Sequence, residues 1–223
     1  MSINEIASIV VGGLITILVT IVVEVLRRPR LRLSIAEPVD ATYEPGRPAA
    51  TGRYLYINLM NDPLPWFARW MSRNAALQCT GTMTFHHLDG ERFFARIMPV
   101  RFSETPEPVG VPIVLGDIRG VIFDPSRAAV QSRVDVYPGE IARLDVAARF
   151  GSEEDAYGWS NLSYSSNPPW RNPDWKLPRG RYLVSVTVSS SGEKCHTIFR
   201  LLNEAGTHDF RLEPARSEDH IGS

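Results

Sequence analysis

This sequence contains little lysine and little cysteine, and its net charge is close to zero. Only Lys176 and Lys194 are lysine, and the 24 basic residues balance 25 acidic ones to a net charge of -1. A chain without excess positive charge lacks the electrostatic attraction that drives binding to nucleic acid, so we expect no nucleic-acid partner. Two cysteines in 223 residues are too few for a disulfide scaffold, and we expect both to be free.

Motifs of catalysis and metal binding are absent as well. The sequence contains no P-loop, GxSxG, GxGxxG or HExxH pattern. His86 and His87 are neighbours in a predicted strand and therefore point to opposite faces of the sheet, which keeps them out of one metal site. The same geometry prevents Cys195 and His196 from forming a nucleophile and base pair. We therefore predict no enzymatic activity, no cofactor and no metal ion.

One long uncharged run lies near the N-terminus. Residues 6–23 carry no charged side chain and would rise about 27 Å as a helix, close to the roughly 30 Å of a bilayer's hydrocarbon core. A secretory signal peptide needs a basic start, a shorter apolar stretch and a small-residue cleavage site, and all three are missing. We predict a short tail (1–5), an uncleaved transmembrane helix in the lipid bilayer (6–26) and a basic juxtamembrane segment (27–28).

Arginines flank this run on its C-terminal side only. The four that follow it closely are Arg27, Arg28, Arg30 and Arg32. Positive residues next to a span resist translocation across the membrane. The arginines therefore predict a single-pass protein with its N-terminus outside and its C-terminal domain in the cytoplasm.

Small residues recur every four positions within the predicted span. Ser8, Gly12, Thr16 and Thr20 share one face of a helix, and this spacing allows two membrane helices to approach closely. Such spacings also arise by chance in membrane spans. A homodimer through the helix and a monomeric anchor both stay open.

After the helix the sequence alternates between apolar and polar residues, which is typical of half-buried strands. Turn signals separate these segments, and no amphipathic stretch of helical length lies between them. We predict a mainly β chain with an antiparallel β-sandwich at residues 29–214, followed by a flexible tail at 215–223. Two long loops, 99–133 and 156–178, account for the unusual length of the domain, and the first is expected to be an irregular crossover.

The end of the second loop carries a specific pattern. Residues 177–188 read LPRGRYLVSVTV and resemble the tyrosine corner of immunoglobulin-like and fibronectin type III domains. The resemblance implies an immunoglobulin-like sandwich in which the Tyr182 hydroxyl bonds back to the backbone and Gly180 lies at the preceding turn. Val184 stands where immunoglobulin domains have a disulfide cysteine. Since such folds host many functions, the resemblance implies no particular activity.

Four aromatic residues in the second loop form our first candidate surface for a partner. They are Trp159, Tyr164, Trp170 and Trp175, and they lie among asparagines and prolines. Tryptophan and tyrosine dominate binding energies at interfaces, which favours an exposed platform. The alternative is a loop that packs against itself.

A second aromatic cluster is the remaining candidate surface. Residues 65–73 read PWFARWMSR and place Trp66 and Trp70 among arginines, as in a segment that lies at a membrane interface. The alternative is a loop that buries its tryptophans to close one end of the sandwich.

Together these features favour a membrane-anchored interaction or scaffolding module that faces the cytoplasm and binds an unidentified protein. The alternative function is a surface-exposed domain that binds carbohydrate or another polymer through its aromatic loop. That alternative requires the opposite orientation, against the effect of the arginine cluster.

Overall fold

One apolar helix precedes a mainly β region. The computed structural model describes residues 3–42, 51–115, 118–126, 132–166 and 170–219. Helix α1 covers Ile3–Arg27, and its segment Ser8–Arg27 is long and apolar enough to cross a membrane. Pro29 follows closely, and because proline disfavours helical backbone in the residue before it, α1 ends there.

The strands are named here in chain order, for the described part of the chain. They are β1 (Leu31–Ile35), β2 (Val39–Thr42), β3 (Thr51–Asn61), β4 (Ala76–His86), β5 (Met98–Pro99), β6 (Arg101–Phe102), β7 (Val109–Leu115), β8 (Ile118–Phe123), β9 (Val134–Val136), β10 (Ile141–Phe150), β11 (Ala156–Gly158), β12 (Lys176–Leu177), β13 (Gly180–Ser189), β14 (Lys194–Asn203) and β15 (Phe210–Pro214).

The described strands form two large antiparallel sheets, and β7 and β8 pair as a separate two-stranded sheet. The first has the order β1-β3-β10-β11-β12, with β2 on β3 and β6 on β10. The second has the order β15-β14-β13-β4-β5, with β9 on β4. The prediction of a mainly β chain with antiparallel strands after an apolar helix is confirmed.

The first long loop is more ordered than the sequence suggested. Residues 99–133 were expected to form an irregular crossover, but they contain β6 and an antiparallel hairpin of β7 and β8. The prolines led to the wrong expectation. Pro112 lies within β7, which pairs only with β8. Each strand of this two-stranded sheet has one edge without backbone hydrogen bonds to a neighbouring strand, so a residue without a backbone N–H is tolerated.

The main core lies between the two sheets. Alternate residues of β3 supply Leu55, Ile57 and Leu59, and β13 supplies Val184, Val186 and Val188, all of them buried. Burying one such side chain contributes about 1.5–3 kcal/mol. The alternating apolar pattern of the sequence thus places one face of each sheet in this core.

A β-bulge in β10 creates a second, smaller core. The pairing of β10 with β3 shifts register between Asp145 and Ala147. Before the shift Leu144 packs in the main core, whereas after it Ala148 and Phe150 pack in a separate cluster. Since neighbouring strand residues point to opposite faces, the extra residue turns Ala148 and Phe150 to the outer face of the first sheet.

The C-terminal residues return to the second sheet. Asp219 is buried, and its carboxylate accepts hydrogen bonds from Arg200 Nε at 2.6 Å and from the backbone N–H of Arg216 at 2.6 Å. Residues 215–219, which we expected in a flexible tail, therefore contact the domain. Residues 1–2 and 220–223 of the two predicted tails lie outside the described residues.

Hydrogen bonds fasten the end of α1 to the domain. The backbone N–H of Asn74 donates to the Arg27 carbonyl at 2.8 Å, and that of Asp62 donates to the Arg30 carbonyl at 2.9 Å. The buried Asn61 side chain accepts from the Arg30 N–H at 3.0 Å and donates to the Asn74 carbonyl at 3.0 Å. We call this region, where residues 61–75 meet α1, the helix end of the domain.

Candidate functional site

The aromatic loop that was our first candidate surface is largely buried. The exposed fraction is 8% for Trp159 and 3% for both Tyr164 and Trp175, while Trp170 is half-buried. Trp159 and Trp170 stack with ring centroids 6.4 Å apart, and Tyr164 packs edge-on against Trp159 at 5.7 Å. Trp175 lies in the main core, with its ring 5.2 Å from that of Phe94. The structure favours the self-packed alternative over an exposed platform.

The reason for this burial is the bulge in β10. Phe150 and Tyr54 form an apolar surface on the outer face of the first sheet, and the loop covers it. The Ser163 hydroxyl, in a short helical turn (Asn161–Ser165), donates to the Gly158 carbonyl at 2.9 Å. The backbone N–H of Trp170 donates to the Ser163 carbonyl at 2.9 Å. These bonds fold the loop back onto the sheet.

A buried ion pair lies under the same loop and was missed by the sequence reasoning. Arg101 on β6 forms a salt bridge with Asp145 on β10, and both side chains are about 5% exposed. The Ser103 hydroxyl donates to the Asp145 carboxylate at 2.5 Å. Burial raises the pKa of Asp145, whereas Arg101 and the Ser103 hydrogen bond act in the opposite direction. Its one sequence signal is Asp145 itself, a carboxylate placed between Leu144 and Val146 in a predicted strand.

Tyr164 connects the loop to this ion pair. The Arg101 guanidinium lies over the Tyr164 ring at 5.6 Å, and the Tyr164 hydroxyl donates to Glu107 at 3.2 Å. Burial raises the pKa of Tyr164, so the phenol stays protonated and can donate. The network joins β6, β10 and the loop, which is a structural role.

The second aromatic cluster is exposed. Trp66 and Trp70 each have 79% of their surface exposed and Phe67 has 58%. Their backbone is nevertheless anchored, because Ala68 is buried and the Met71 N–H donates to the Ala68 carbonyl at 3.0 Å. Large apolar rings held out in water are unusual on a monomeric protein and indicate a contact surface.

This exposed cluster lies at the helix end of the domain. Asn74, a few residues after Trp70, bonds to the last residue of α1, Arg27, and the Arg73 guanidinium bonds to the Arg28 carbonyl. The three exposed rings are therefore beside the point at which the apolar helix meets the domain.

Arginines without carboxylate partners surround the rings. Arg32 pairs with Asp62 at 3.2 Å, but within the described part of the chain five other arginines of this region form no ion pair. These five are Arg27, Arg28, Arg30, Arg69 and Arg73. Several arginines near the opposite end are paired, such as Arg53 with Asp40 at 2.9 Å and Arg181 with Glu204 at 2.7 Å. Unpaired positive charge is thus concentrated at the helix end.

A crevice of about 670 Å³ opens beside these arginines. Apolar and cationic side chains both contribute to its walls, among them Leu64, Arg69, Met71, Arg73 and Tyr137. This volume is within the range of small-molecule sites in proteins.

The predicted tyrosine-corner hydrogen bond is present. The Tyr182 hydroxyl donates to the Pro178 carbonyl at 2.8 Å, and burial raises the pKa of Tyr182 to about 12. A Cβ atom on Gly180 would lie 3.3 Å from that hydroxyl, so glycine leaves room for the ring to bend back. The pattern in residues 177–188 therefore predicted a real contact.

Replacing Tyr182 by phenylalanine is expected to lower the free energy of unfolding by about 1 kcal/mol, because the buried tyrosine loses its hydrogen bond to the Pro178 carbonyl. The effect stays small because the Asn203 side chain still donates to that carbonyl at 3.1 Å. Urea unfolding of the full chain in detergent, followed by circular dichroism, measures this change. Tyr137→Phe is the matched control, because Tyr137 is half exposed and its replacement should leave the midpoint unchanged. Equal midpoints for both variants would show that the corner bond does not stabilise the fold.

The histidines and cysteines singled out in the sequence have separate environments. The His86 ring bonds to the Thr84 hydroxyl at 2.8 Å and to the Gly90 carbonyl at 3.0 Å, whereas the His87 ring packs on Phe93. Cys195 packs against the core, and the exposed His196 bonds to Ser185 at 2.8 Å. Neither neighbouring pair therefore forms one site.

The fold and its helix end define a mainly β protein with one apolar N-terminal helix and an exposed aromatic and cationic surface beside that helix. Comparison of the chain with family models, with curated proteins and with solved structures finds no match. The function must therefore be argued from this surface.

Proposed function

We propose that this is a single-pass membrane protein whose β domain lies against the cytoplasmic face of a bilayer and acts there as a protein-interaction or scaffolding module. The observation that carries the proposal is the position of three exposed aromatic rings, Trp66, Phe67 and Trp70, beside the end of an apolar helix.

The helix itself supports membrane insertion. None of the segment Ser8–Arg27 is buried by the rest of the described structure, and its apolar side chains, such as Leu14 and Leu18, are more than half exposed. Twenty residues of helix rise about 30 Å, which matches the hydrocarbon core of a bilayer. Lipid provides the apolar surroundings that the domain does not.

The exposed rings support a fixed depth in the membrane. Tryptophan is enriched at the level of the lipid headgroups, where its apolar ring and polar N–H are both satisfied. Trp66 and Trp70 lie beside the end of the span, as this preference requires. A water-exposed position for both rings is costly, and contact with lipid removes that cost.

The arginines support the cytoplasmic orientation of the domain. The described residues before Ser8 include Glu5 and no arginine, whereas Arg27, Arg28 and Arg30 follow the span directly. This asymmetry follows the positive-inside rule.

With the helix end against the bilayer, a protein partner is left to contact the opposite end of the domain. Residues 87–97 lie there and expose the apolar side chain of Leu88. The alternative function, carbohydrate binding through the aromatic loop, has less support because Trp159 and Tyr164 are buried.

The proposed orientation predicts that protease added outside intact cells spares the β domain. The same protease should degrade the domain once the membrane is permeabilised, since many arginines, such as Arg92, are exposed. Immunoblotting with an antibody to the domain measures both results. Thiol labelling is a poorer test, because Cys79 is buried and its pKa is raised to about 11.

Survival of a soluble cytoplasmic protein in the same protease-treated sample is the control that the cells are sealed. Digestion of the domain in sealed cells would reverse the orientation and favour a surface-exposed domain. Release of the whole chain by alkaline carbonate would contradict the membrane anchor itself.

A further inference from the structure

We propose that the crevice at the helix end binds the headgroup of an anionic phospholipid of the cytoplasmic leaflet, with Arg69 and Arg73 as the principal contacts. This inference rests on the membrane anchoring proposed above and names the ligand of that surface.

Arg73 is held in place and forms no direct ion pair with the described residues. Its Nη1 donates to the Arg28 carbonyl, which fixes the guanidinium, while its buried Nε has no hydrogen-bond partner in the described part of the chain. The nearby carboxylate of Asp62 already pairs with Arg32. The Nε is enclosed by protein, so a phosphate oxygen would be bound by the outer nitrogens of this fixed guanidinium, whose planar fork is suited to phosphate.

Arg30 adds like charge to the same place. Burial lowers the pKa of Arg73, and the positive charge of Arg30 lowers it further, whereas the Asp62 carboxylate acts in the opposite direction. Asp62 also pairs with Arg32, so one carboxylate serves three arginines. Holding two guanidinium groups close together is unfavourable unless an anion lies between or beside them. A bound phosphate would remove this repulsion.

The walls of the crevice fit a lipid better than a small soluble anion. Leu64 and Met71 line it together with Arg69 and Arg73, so apolar and cationic surfaces lie side by side. A phospholipid has the same arrangement, with a phosphate next to its glycerol and acyl chains. A volume of about 670 Å³ accommodates a headgroup and its glycerol.

The position of the crevice selects the lipid as the occupant. Three residues, 28–30, separate α1 from β1, and such a segment spans at most about 10 Å. The crevice is therefore level with the headgroups once α1 is in the bilayer, and the leaflet supplies phosphate there at high local concentration. The cytoplasmic leaflet is also the one whose surface attracts basic residues near a span.

Quenching of tryptophan fluorescence by brominated lipid tests the proposal. The full chain is placed in nanodiscs of one part phosphatidylglycerol and four parts phosphatidylcholine. In one set the phosphatidylglycerol is brominated, and in the other an equal amount of the phosphatidylcholine is brominated instead. Trp66 and Trp70 are the exposed reporters, and a Trp66→Phe/Trp70→Phe variant gives the background from the other tryptophans.

Enrichment of the anionic lipid at the crevice should make quenching by brominated phosphatidylglycerol at least twofold stronger than quenching by brominated phosphatidylcholine. Each basic side chain near the surface contributes about fivefold in affinity. Arg69→Gln/Arg73→Gln should therefore remove at least half of the difference, and high salt should reduce it in the unaltered protein. Arg92→Gln/Arg96→Gln, with the same charge change at the opposite end, should retain it.

The possible results separate this inference from the proposed function. Equal quenching by the two lipids overturns the lipid selectivity but leaves the membrane anchor standing. A difference that persists in Arg69→Gln/Arg73→Gln overturns the assignment of those arginines. Absence of quenching by either lipid contradicts the placement of Trp66 and Trp70 against the bilayer, and the headgroup site with it, whereas carbonate extraction tests the anchor separately.

Discussion

Trp159→Ala is expected to lower the free energy of unfolding by about 3–5 kcal/mol, the usual cost of deleting a buried aromatic side chain. The ring lies in the middle of the outer cluster, 5.3 Å from the Tyr54 ring and 5.7 Å from the Tyr164 ring, and it stacks on Trp170. Its removal leaves a cavity that none of these fixed rings can fill. Urea unfolding of the full chain in detergent measures the loss.

Trp66→Ala is the matched control for this prediction. The same side chain is removed, but Trp66 is 79% exposed, so stability should change by less than about 0.5 kcal/mol. A small effect of Trp159→Ala would mean that the aromatic loop is not packed on the sheet, and the platform interpretation would return. A large effect of Trp66→Ala would instead place that ring in a core.

Arg101→Met is expected to cost about 3–5 kcal/mol, because it leaves the Asp145 carboxylate buried without its counter-charge. The double variant Arg101→Met/Asp145→Leu should recover much of this loss, since an apolar pair carries no desolvation cost. Arg181→Met removes one partner of an exposed pair and should change stability by less than about 1 kcal/mol. Additive losses in the double variant would show that the two side chains are not coupled.

The pH dependence of Arg101→Met has a definite sign. Burial raises the pKa of Asp145, and loss of the guanidinium removes the main opposing effect. A carboxyl group whose pKa is higher in the folded state than in the unfolded state binds protons preferentially when folded, so folding becomes more favourable as the pH falls through that raised pKa. The loss in free energy of unfolding caused by Arg101→Met should therefore be largest at neutral pH and become smaller on acidification. A deficit that grows on acidification would contradict the burial of Asp145.

Local patterns in the sequence predicted the helix and the main strands but missed the hairpin of β7 and β8. The uncharged run predicted a helix at 6–26, and α1 covers Ile3–Arg27. Alternation of apolar residues predicted the antiparallel strands, and the pattern before Tyr182 predicted its hydrogen bond to backbone. These signals are local, because helix length, strand period and a corner turn depend on neighbouring residues.

The exposure of the two aromatic clusters could not be predicted in this way. Both combine tryptophans with prolines and arginines, yet Trp159 is buried and Trp66 is exposed. The difference arises from the bulge at Asp145–Ala147, which turns Phe150 outward and gives the first cluster an apolar surface to cover. The bulge depends on the pairing of β10 with β3, which is distant in sequence. The residues of the loop therefore do not predict it.

The short connection between α1 and β1 couples the orientation of the domain to that of the helix. Hydrogen bonds from Asn74 and Asp62 hold the Arg27 and Arg30 carbonyls, so a rotation or tilt of the helix turns the whole domain with it. Strands of ten residues such as β13 extend about 33 Å, which separates the far loops from the helix end. Under the proposed membrane anchoring, a force applied at the far loops would therefore act as a torque on α1.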